Sequence, residues 1–419
     1  MTSRRDAQEP ESREPESRER ESRASYGEVF AVSEFRWLWG AQLASVIGDQ
    51  LARVALAVLV FDRTGSAGLS ALTYALTFLP DVVGGPLLSG LADRFPRRQV
   101  MIVCDIARAG LVGLMAIPGQ SLWVLCGLLF VVQLFAAPFQ AARAALLPTI
   151  LTGDKYVLAS SVSNVTAQLA QLAGFVTGGT LVALFGAGQA LGVDALTFAI
   201  SALFIGIGVR DRALASEAAE RPGWLSSIVA GARLVWADRR LRYLIVLACV
   251  SGFYVTVEGL AAPYAAAVGG GPMAVGLLLA ANPAGQVIGM LVLTRLEPVL
   301  RLRLLGPLSI GSCVPLIACA ARPGLAVTIA LWMVSGLCSA YQLAANAAFV
   351  QNVPDAQRGQ AFGLARTGLI VSQGLGVLVA GIAADRWDPA FVVAGAGVFG
   401  VLLAAGAARG LDRAQRTAS

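Results

Sequence analysis

Gly90-Leu91-Ala92-Asp93-Arg94-Phe95-Pro96-Arg97-Arg98 separates two long apolar runs, and its reading decides the fold. The run before it, from about Gly68 to Leu91, and the run after it, from Gln99 to Ile117, are each long enough to cross a hydrocarbon core of ~30 Å as a helix. The charged residues between them then form a turn at a membrane face, which Pro96 enforces. An acid at the very end of one helix, followed at once by arginines, reads as a charge lock that holds neighbouring helices.

Composition agrees with this reading over the whole chain. The 419 residues are 56% hydrophobic and 14% charged, with a mean hydropathy of +0.69. Soluble domains carry about a quarter charged residues, so this is an all-α integral membrane protein. The chain has no histidine, which excludes histidine metal sites, Ser-His-Asp triads and histidine proton relays, and leaves any proton chemistry to carboxylates. The six cysteines lie in apolar runs with no C-x-x-C pair and read as packed thiols. A net charge of +6 with no basic stripe interleaved with aromatics gives no nucleic-acid partner. No Gly-Lys-Ser/Thr phosphate loop is present, so the chain has no ATP motor, and no cofactor, metal or enzymatic constellation is expected.

Apolar segments of spanning length recur at about 37–61, 68–91, 99–117, 122–150, 157–185 and 188–209, then at 242–267, 274–295, 304–321, 325–351, 361–384 and 390–409. The expected fold is therefore twelve transmembrane helices in two pseudo-symmetric six-helix halves, 33–209 and 242–409. Residues 1–25, with a repeated Glu-Pro-Glu-Ser-Arg unit, are too polar to bury a core and read as a disordered tail. Residues 210–241 form a central loop in which Trp224 to Trp236 has the spacing of an amphipathic helix on the membrane face. Residues 410–419 form a second tail. Basic residues collect in alternate loops (Arg94, Arg97, Arg98, Lys155, Arg239, Arg240, Arg301 and others), while Arg63, Arg322 and Arg386 alone occupy the opposite set. The richer side is cytosolic, so both termini face the cytosol of a bacterial inner membrane.

The Gly90–Arg98 stretch resembles the signature loop between helices 2 and 3 of the major facilitator superfamily. Phe35-Arg36-Trp37-Leu38-Trp39, Gly48-Asp49-Gln50-Leu51, Thr64-Gly65-Ser66, Phe78-Leu79-Pro80, Pro138 with Arg143 and Leu147-Pro148, Asp194-Ala195-Leu196-Thr197-Phe198, and Pro354 with Arg358-Gly359 are similar to its bacterial drug:proton antiporter branch, which contains macrolide-efflux and enterobactin-exporter proteins. Two departures stand out. Gly174-Phe175-Val176-Thr177-Gly178-Gly179 lacks the helix 5 proline of related antiporters, and the loop around Arg295, Glu297, Arg301 and Arg303 is a degenerate echo of the signature. The resemblance implies a monomeric secondary transporter that exports a small organic substrate in exchange for protons by alternating access. A proton-independent facilitator, an importer, and a non-transporting receptor on the same fold are the alternatives.

Charges inside a bilayer cost several kcal/mol, from ~3 upward, so those within the spans should face a cavity or one another. Asp49 and Arg53 are four residues apart and are expected to pair, either as a packing element or in coupling. Asp81, between Pro80 and Pro86, is a proton-site candidate or lines a wet cavity. Glu258, one turn before Pro263, is the candidate in the second half for substrate or proton contact. Gly90, Asp93, Arg94, Arg97, Arg98, Asp105, Arg108 and Arg143 are expected to form a cytoplasmic gate network, joined by Arg366. For Asp194 the resemblance implies a structural role or one in an extracellular gate.

Overall fold

The computed structural model describes residues 25–80, 84, 94–212, 232–354 and 357–416, and no strand occurs among them. Asp81, Gly90, Asp93, nearly all of the 1–25 tail and the Trp224 end of the expected amphipathic helix lie outside the described residues. Residues 232–237 of that stretch are helical, with Val235 buried and Trp236 exposed.

A first group of helices comprises α1 (Tyr26–Ala31), α2 (Ser33–Thr64), α3 (Ala67–Ala75), α4 (Arg97–Met115), α5 (Leu122–Ile150), α6 (Asp154–Phe185) and α7 (Ala187–Gly208). A second group begins with α8 (Arg239–Cys249), α9 (Ser251–Tyr254), α10 (Thr256–Gly259), α11 (Ala261–Ala267), α12 (Pro272–Thr294) and α13 (Pro298–Arg303). It continues through α14 (Leu305–Gly311), α15 (Val314–Ile317), a 3₁₀ turn at Ala318–Ala321, α16 (Leu325–Ser339), α17 (Tyr341–Asn352), α18 (Arg358–Ala384) and α19 (Pro389–Arg416).

Local chemistry sets the ends. The hydroxyls of Ser25, Ser66 and Ser121 and the carboxylate of Asp238 accept backbone N–H bonds at the starts of α1, α3, α5 and α8. Gly65 ends α2 in the left-handed region, with φ 63°, where a side chain would be strained. Pro263 removes a backbone donor, and the chain from Arg239 to Ala267 runs as four short helices that break next to Glu258.

Among the described residues, nine helical stretches are long and apolar enough to cross a membrane. Three expected spans do not meet that measure, each for a visible reason. The 68–91 span begins as α3 and then leaves the described residues. The 99–117 span is α4, whose 19 residues carry Arg97, Arg98, Asp105 and Arg108. The 304–321 span is broken into α14, α15 and the 3₁₀ turn. The exposed stripes Leu196, Leu203, Ile207 on α7 and Leu375, Val379, Ile382 on α18 are apolar, as a lipid-facing surface requires.

Polar ties identify the helix ends that share a face. On one, Arg63 donates to the Gln120 carbonyl (3.0 Å), Asp385 accepts from the Ser66 hydroxyl (3.0 Å) and the Gly68 N–H (3.0 Å), and Arg322 pairs with Asp388 (2.8 Å). We call this the Gly65 face. On the other, the Lys155 face, Lys155 pairs with Glu28 (3.0 Å), Arg212 with Glu34, and Arg240 donates to the Ala414 carbonyl (3.4 Å).

The two groups meet chiefly near the Gly65 face. There α3 packs on α18 and α6 crosses α12, where a Cβ on Gly179 would lie 2.9 Å from the Gly276 Cα. One buried apolar core runs continuously through both groups, taking in Ala71, Phe175, Val257 and Val377 at this level and extending through the second group to Leu241 and Leu411. Nearer the Lys155 face a second core, built on Phe35, Met101, Phe139 and Leu146, contains residues of the first group alone.

Candidate functional site

Two polar clusters lie beneath the joined Gly65 face. The first is built on Arg108 of α4, which is only 2% exposed. Its guanidinium donates to Asp49 Oδ1 of α2 at 2.7 Å and to the Ser45 hydroxyl at 3.4 Å, and lies 3.8 Å from Asp105 Oδ1. The ring of Phe198 on α7 covers the same cation at 3.9 Å, a desolvated cation–π contact. Asp105 is fully buried and accepts from the Ser201 hydroxyl at 2.5 Å. Asp194 is also buried, and Thr197 donates to its Oδ1 at 3.3 Å. α7 reaches α2 here because Gly48 has no Cβ; one placed there would collide with Thr197 and Asp194.

The electrostatics of this cluster are unbalanced. Three carboxyl groups, Asp49, Asp105 and Asp194, surround the single guanidinium of Arg108. Asp105 Oδ1 and Asp194 Oδ2 are buried and have no hydrogen-bond donor among the described residues. Each of these carboxyls thus has one oxygen with a hydroxyl donor and one without, and a buried carboxylate oxygen left without a donor costs free energy.

The second cluster crosses between the groups. The Tyr74 hydroxyl of α3 donates to Glu258 Oε2 of α10 at 2.5 Å. Arg53 of α2 donates to the Tyr74 oxygen at 3.5 Å, with its guanidinium 5.6 Å from the Tyr74 ring centroid. Glu258 is thereby tied to the first group through a tyrosine.

These contacts correct two expectations. Asp49 pairs with Arg108 on another helix, while Arg53, one turn nearer the Gly65 face on α2, turns to Tyr74. Asp105 and Arg108 do not join Arg143; they form one cluster with Asp49 and Asp194, because α2, α4 and α7 pack on one another. Asp194, for which a structural or extracellular-gate role was expected, lies in the same cluster as Asp105.

The remaining gate candidates are dispersed. Arg143 donates to Gln42 Oε1 and, at 3.3 Å, to Gln140 Oε1. Arg97 donates to the Ala145 carbonyl at 2.8 Å, and Arg98 to the Gly206 carbonyl. Arg94 and Arg366 are exposed. Sequence reasoning missed Tyr74, Gln42, Ser45, Thr197 and Ser201. A signal was present for two of them, since Gln42, Ser45, Asp49 and Arg53 recur every three or four residues and mark one polar stripe on an otherwise apolar helix.

In the second group a cavity of about 310 Å³ lies between α8, α17 and α18, lined by Ala248, Gln342, Asn346, Phe349, Phe362 and Arg366 among others. No group of histidine, cysteine or carboxylate side chains able to hold a metal ion occurs among the described residues.

Comparison with known proteins places this architecture. The chain is 29% identical over 265 residues to the multidrug efflux pump Tap of Mycobacterium tuberculosis, covering 60% of this chain and 62% of that protein. It is 22% identical over 178 residues to macrolide efflux protein A of Streptococcus pyogenes, covering 42% of this chain and 44% of that protein. The matched region is thus less than two thirds of either relative. The solved structure of the nucleoside transporter NupG superimposes with a TM-score of 0.69 at 15% identity, over 89% of this chain and 98% of that one. That likeness shows a shared fold. The profile of the Major Facilitator Superfamily matches residues 38–296 and 259–419, nearly everything after the N-terminal tail. The chain is a multi-pass membrane protein and belongs to the Major Facilitator Superfamily.

Proposed function

We propose that the protein is a proton-coupled exporter of a small organic compound that works by alternating access between two six-helix halves, 33–209 and 242–409, joined by the 210–241 loop. It acts as a monomer in a bacterial inner membrane, with both termini and the Lys155 face in the cytosol. The excess of basic residues in the loops of that face supports the orientation. The resemblance to efflux proteins supports the direction of transport.

The observation that carries this reading is the asymmetry of contact. The groups pack together near the Gly65 face over two buried polar clusters, while toward the Lys155 face the first group has a core of its own. This asymmetry supports reading the protein as a carrier closed to the outside and open to the cytosol. The Arg53–Tyr74–Glu258 bridge spans the two groups, so it must part when the outer side opens. Glu258 then loses its tyrosine donor and is exposed to a proton from outside. The Arg108 cluster, with more carboxyls than cations, is a second store of protons. Asp81 remains a proton-site candidate on helix 2, and Asp93 with Arg94, Arg97 and Arg98 the lock that closes the cytosolic side in the opposite state.

The test is transport in everted membrane vesicles, using compounds that accumulate inside a deletion strain. Glu258→Gln is expected to abolish uptake driven by a pH gradient while the protein stays in the membrane. Undiminished proton-driven uptake by Glu258→Gln and by Asp81→Asn would remove both as coupling sites, and uptake indifferent to a protonophore would remove proton coupling altogether.

A further inference from the structure

A slot of about 380 Å³ opens between α18 and α19 of the second group. Its floor is Gly252 and Thr256, from the broken course of α9 and α10, together with Ala380 of α18, and all three are buried. Here α18 meets α9 backbone to backbone, since a Cβ on Gly376 would collide with the Gly252 carbonyl. Small residues on the facing helices, Ala383 of α18 with Gly395 and Ala396 of α19, leave the space above this floor unfilled. Val379, Phe391 and Phe399 form the lips, each more than half exposed. Among the described residues that line the slot none is charged, and the Thr256 hydroxyl already donates to the Phe253 carbonyl at 2.7 Å. Val379 belongs to the same apolar stripe as Leu375 and Ile382, so the slot opens toward lipid and not toward water.

Its length and position match one leaflet. The slot begins at Trp387, in the turn at the Gly65 face, and runs inward as far as Gly376 on α18 and Phe399 on α19. At 1.5 Å per residue, the lining from Gly376 to Ala383 covers ~10 Å and that from Phe391 to Phe399 ~12 Å. Half of the hydrocarbon core is ~15 Å. The slot therefore follows the path of an acyl chain from headgroup level toward the bilayer centre. Trp387 is exposed at the end where indole rings collect at a membrane interface.

A cation stands at this end. Arg322 is the one non-glycine residue among those described with a left-handed backbone, at φ 50°, a conformation that L-residues keep only where their surroundings hold it. With that backbone its guanidinium lies 5.0 Å from the ring centroid of Phe391, one of the lips, and 2.8 Å from Asp388. The side chain is still 59% exposed, and one carboxylate does not fill the five donors of a guanidinium.

We propose that the slot binds a phospholipid of the leaflet at the Gly65 face, with one acyl chain lying between α18 and α19 and the phosphate bonded to Arg322. The apolar slot suits the chain, and a guanidinium at headgroup level suits the phosphate. The site is independent of what the protein transports and in which direction.

The experiment uses the full-length protein in digitonin, a detergent without an alkyl chain to compete, titrated with phosphatidylethanolamine that carries a photoreactive diazirine in one acyl chain. After illumination, labelled peptides are identified by mass spectrometry. Labelling of the α19 segment containing Phe391 and Phe399 is expected to saturate and to fall when unlabelled phosphatidylethanolamine is added. A Cβ on Gly395 meets nothing within 4 Å, so Gly395→Leu places its side chain in open space and should raise the half-saturating concentration by about tenfold or more. Gly110→Leu on α4, where a Cβ also meets nothing within 4 Å, is the matched control and should leave labelling unchanged. Arg322→Gln should weaken binding by about tenfold, the worth of one charge-assisted bond, and Arg322→Lys should recover part of it. Labelling that never saturates and is equal on every lipid-facing helix would show bulk lipid alone and overturn the proposal. Labelling indifferent to Gly395→Leu would overturn it too, as would loss of labelling on dimerisation, which would put a second copy of the chain in the slot. Competition by dodecyl maltoside as strong as by phosphatidylethanolamine, with no effect of Arg322→Gln, would leave a groove for any alkyl chain and equally overturn it.

Discussion

Arg108 is where residue-level chemistry is most exposed to test. It is buried among Asp49, Asp105 and Asp194 and is covered by Phe198, so removing it leaves buried acids without their cation. Arg108→Gln is expected to cost ~3–5 kcal/mol of stability, read as a lower unfolding temperature of the purified protein, and adding Asp49→Asn should recover part of it. If the double variant is no more stable than Arg108→Gln, the pair does not share a charge balance. Tyr74→Phe removes one hydrogen bond to Glu258 and should weaken the closed Gly65 face by ~1–3 kcal/mol. The check is the labelling rate of a single cysteine placed under that face, which should rise; an unchanged rate would show that the bridge does not hold the groups together. Asp49, Arg53, Asp105, Arg108, Asp194 and Glu258 were all legible as candidates, because a charge in an apolar run stands out. Their partners were not, because pairing across helices depends on rotation and depth that spacing along one helix does not report.

At the scale of elements, the crossing of α6 and α12 sets how closely the two groups approach. A side chain at Gly179 would drive into the Gly276 backbone, so Gly179→Val is expected to wedge the helices apart. Spin labels on the Gly65-face ends of α6 and α12 should then report a longer distance, and transport should fall. Gly192→Val, at a position where a Cβ would meet nothing within 4 Å, is the matched control and should be silent. The glycines of 174–179 were visible as a sequence feature lacking a proline, yet their contact with α12 was not. The broken course of Arg239–Ala267 was foreshadowed only by Pro263.

For the whole molecule, the question is whether the groups rock. Ser66 and Asp385 join them at the Gly65 face through a 3.0 Å hydrogen bond. With the six native cysteines replaced, Ser66→Cys and Asp385→Cys joined by a short bifunctional reagent should stop transport, and a reducible reagent should let it resume on cleavage. Continued transport by the cross-linked protein would exclude opening at this face. Length and apolarity of the spans and the loop charges were determined by sequence alone, since they follow from a bilayer that admits only long apolar helices and a membrane potential that sorts arginines. The signature at Gly90–Arg98 marked the family for the same reason: its chemistry is local. Which acid meets which arginine was decided only by the tertiary structure. That outcome depends on how α2, α4, α7 and the second group rotate against one another, and packing of small residues such as Gly48 and Gly179 sets that rotation without any trace in charge pattern.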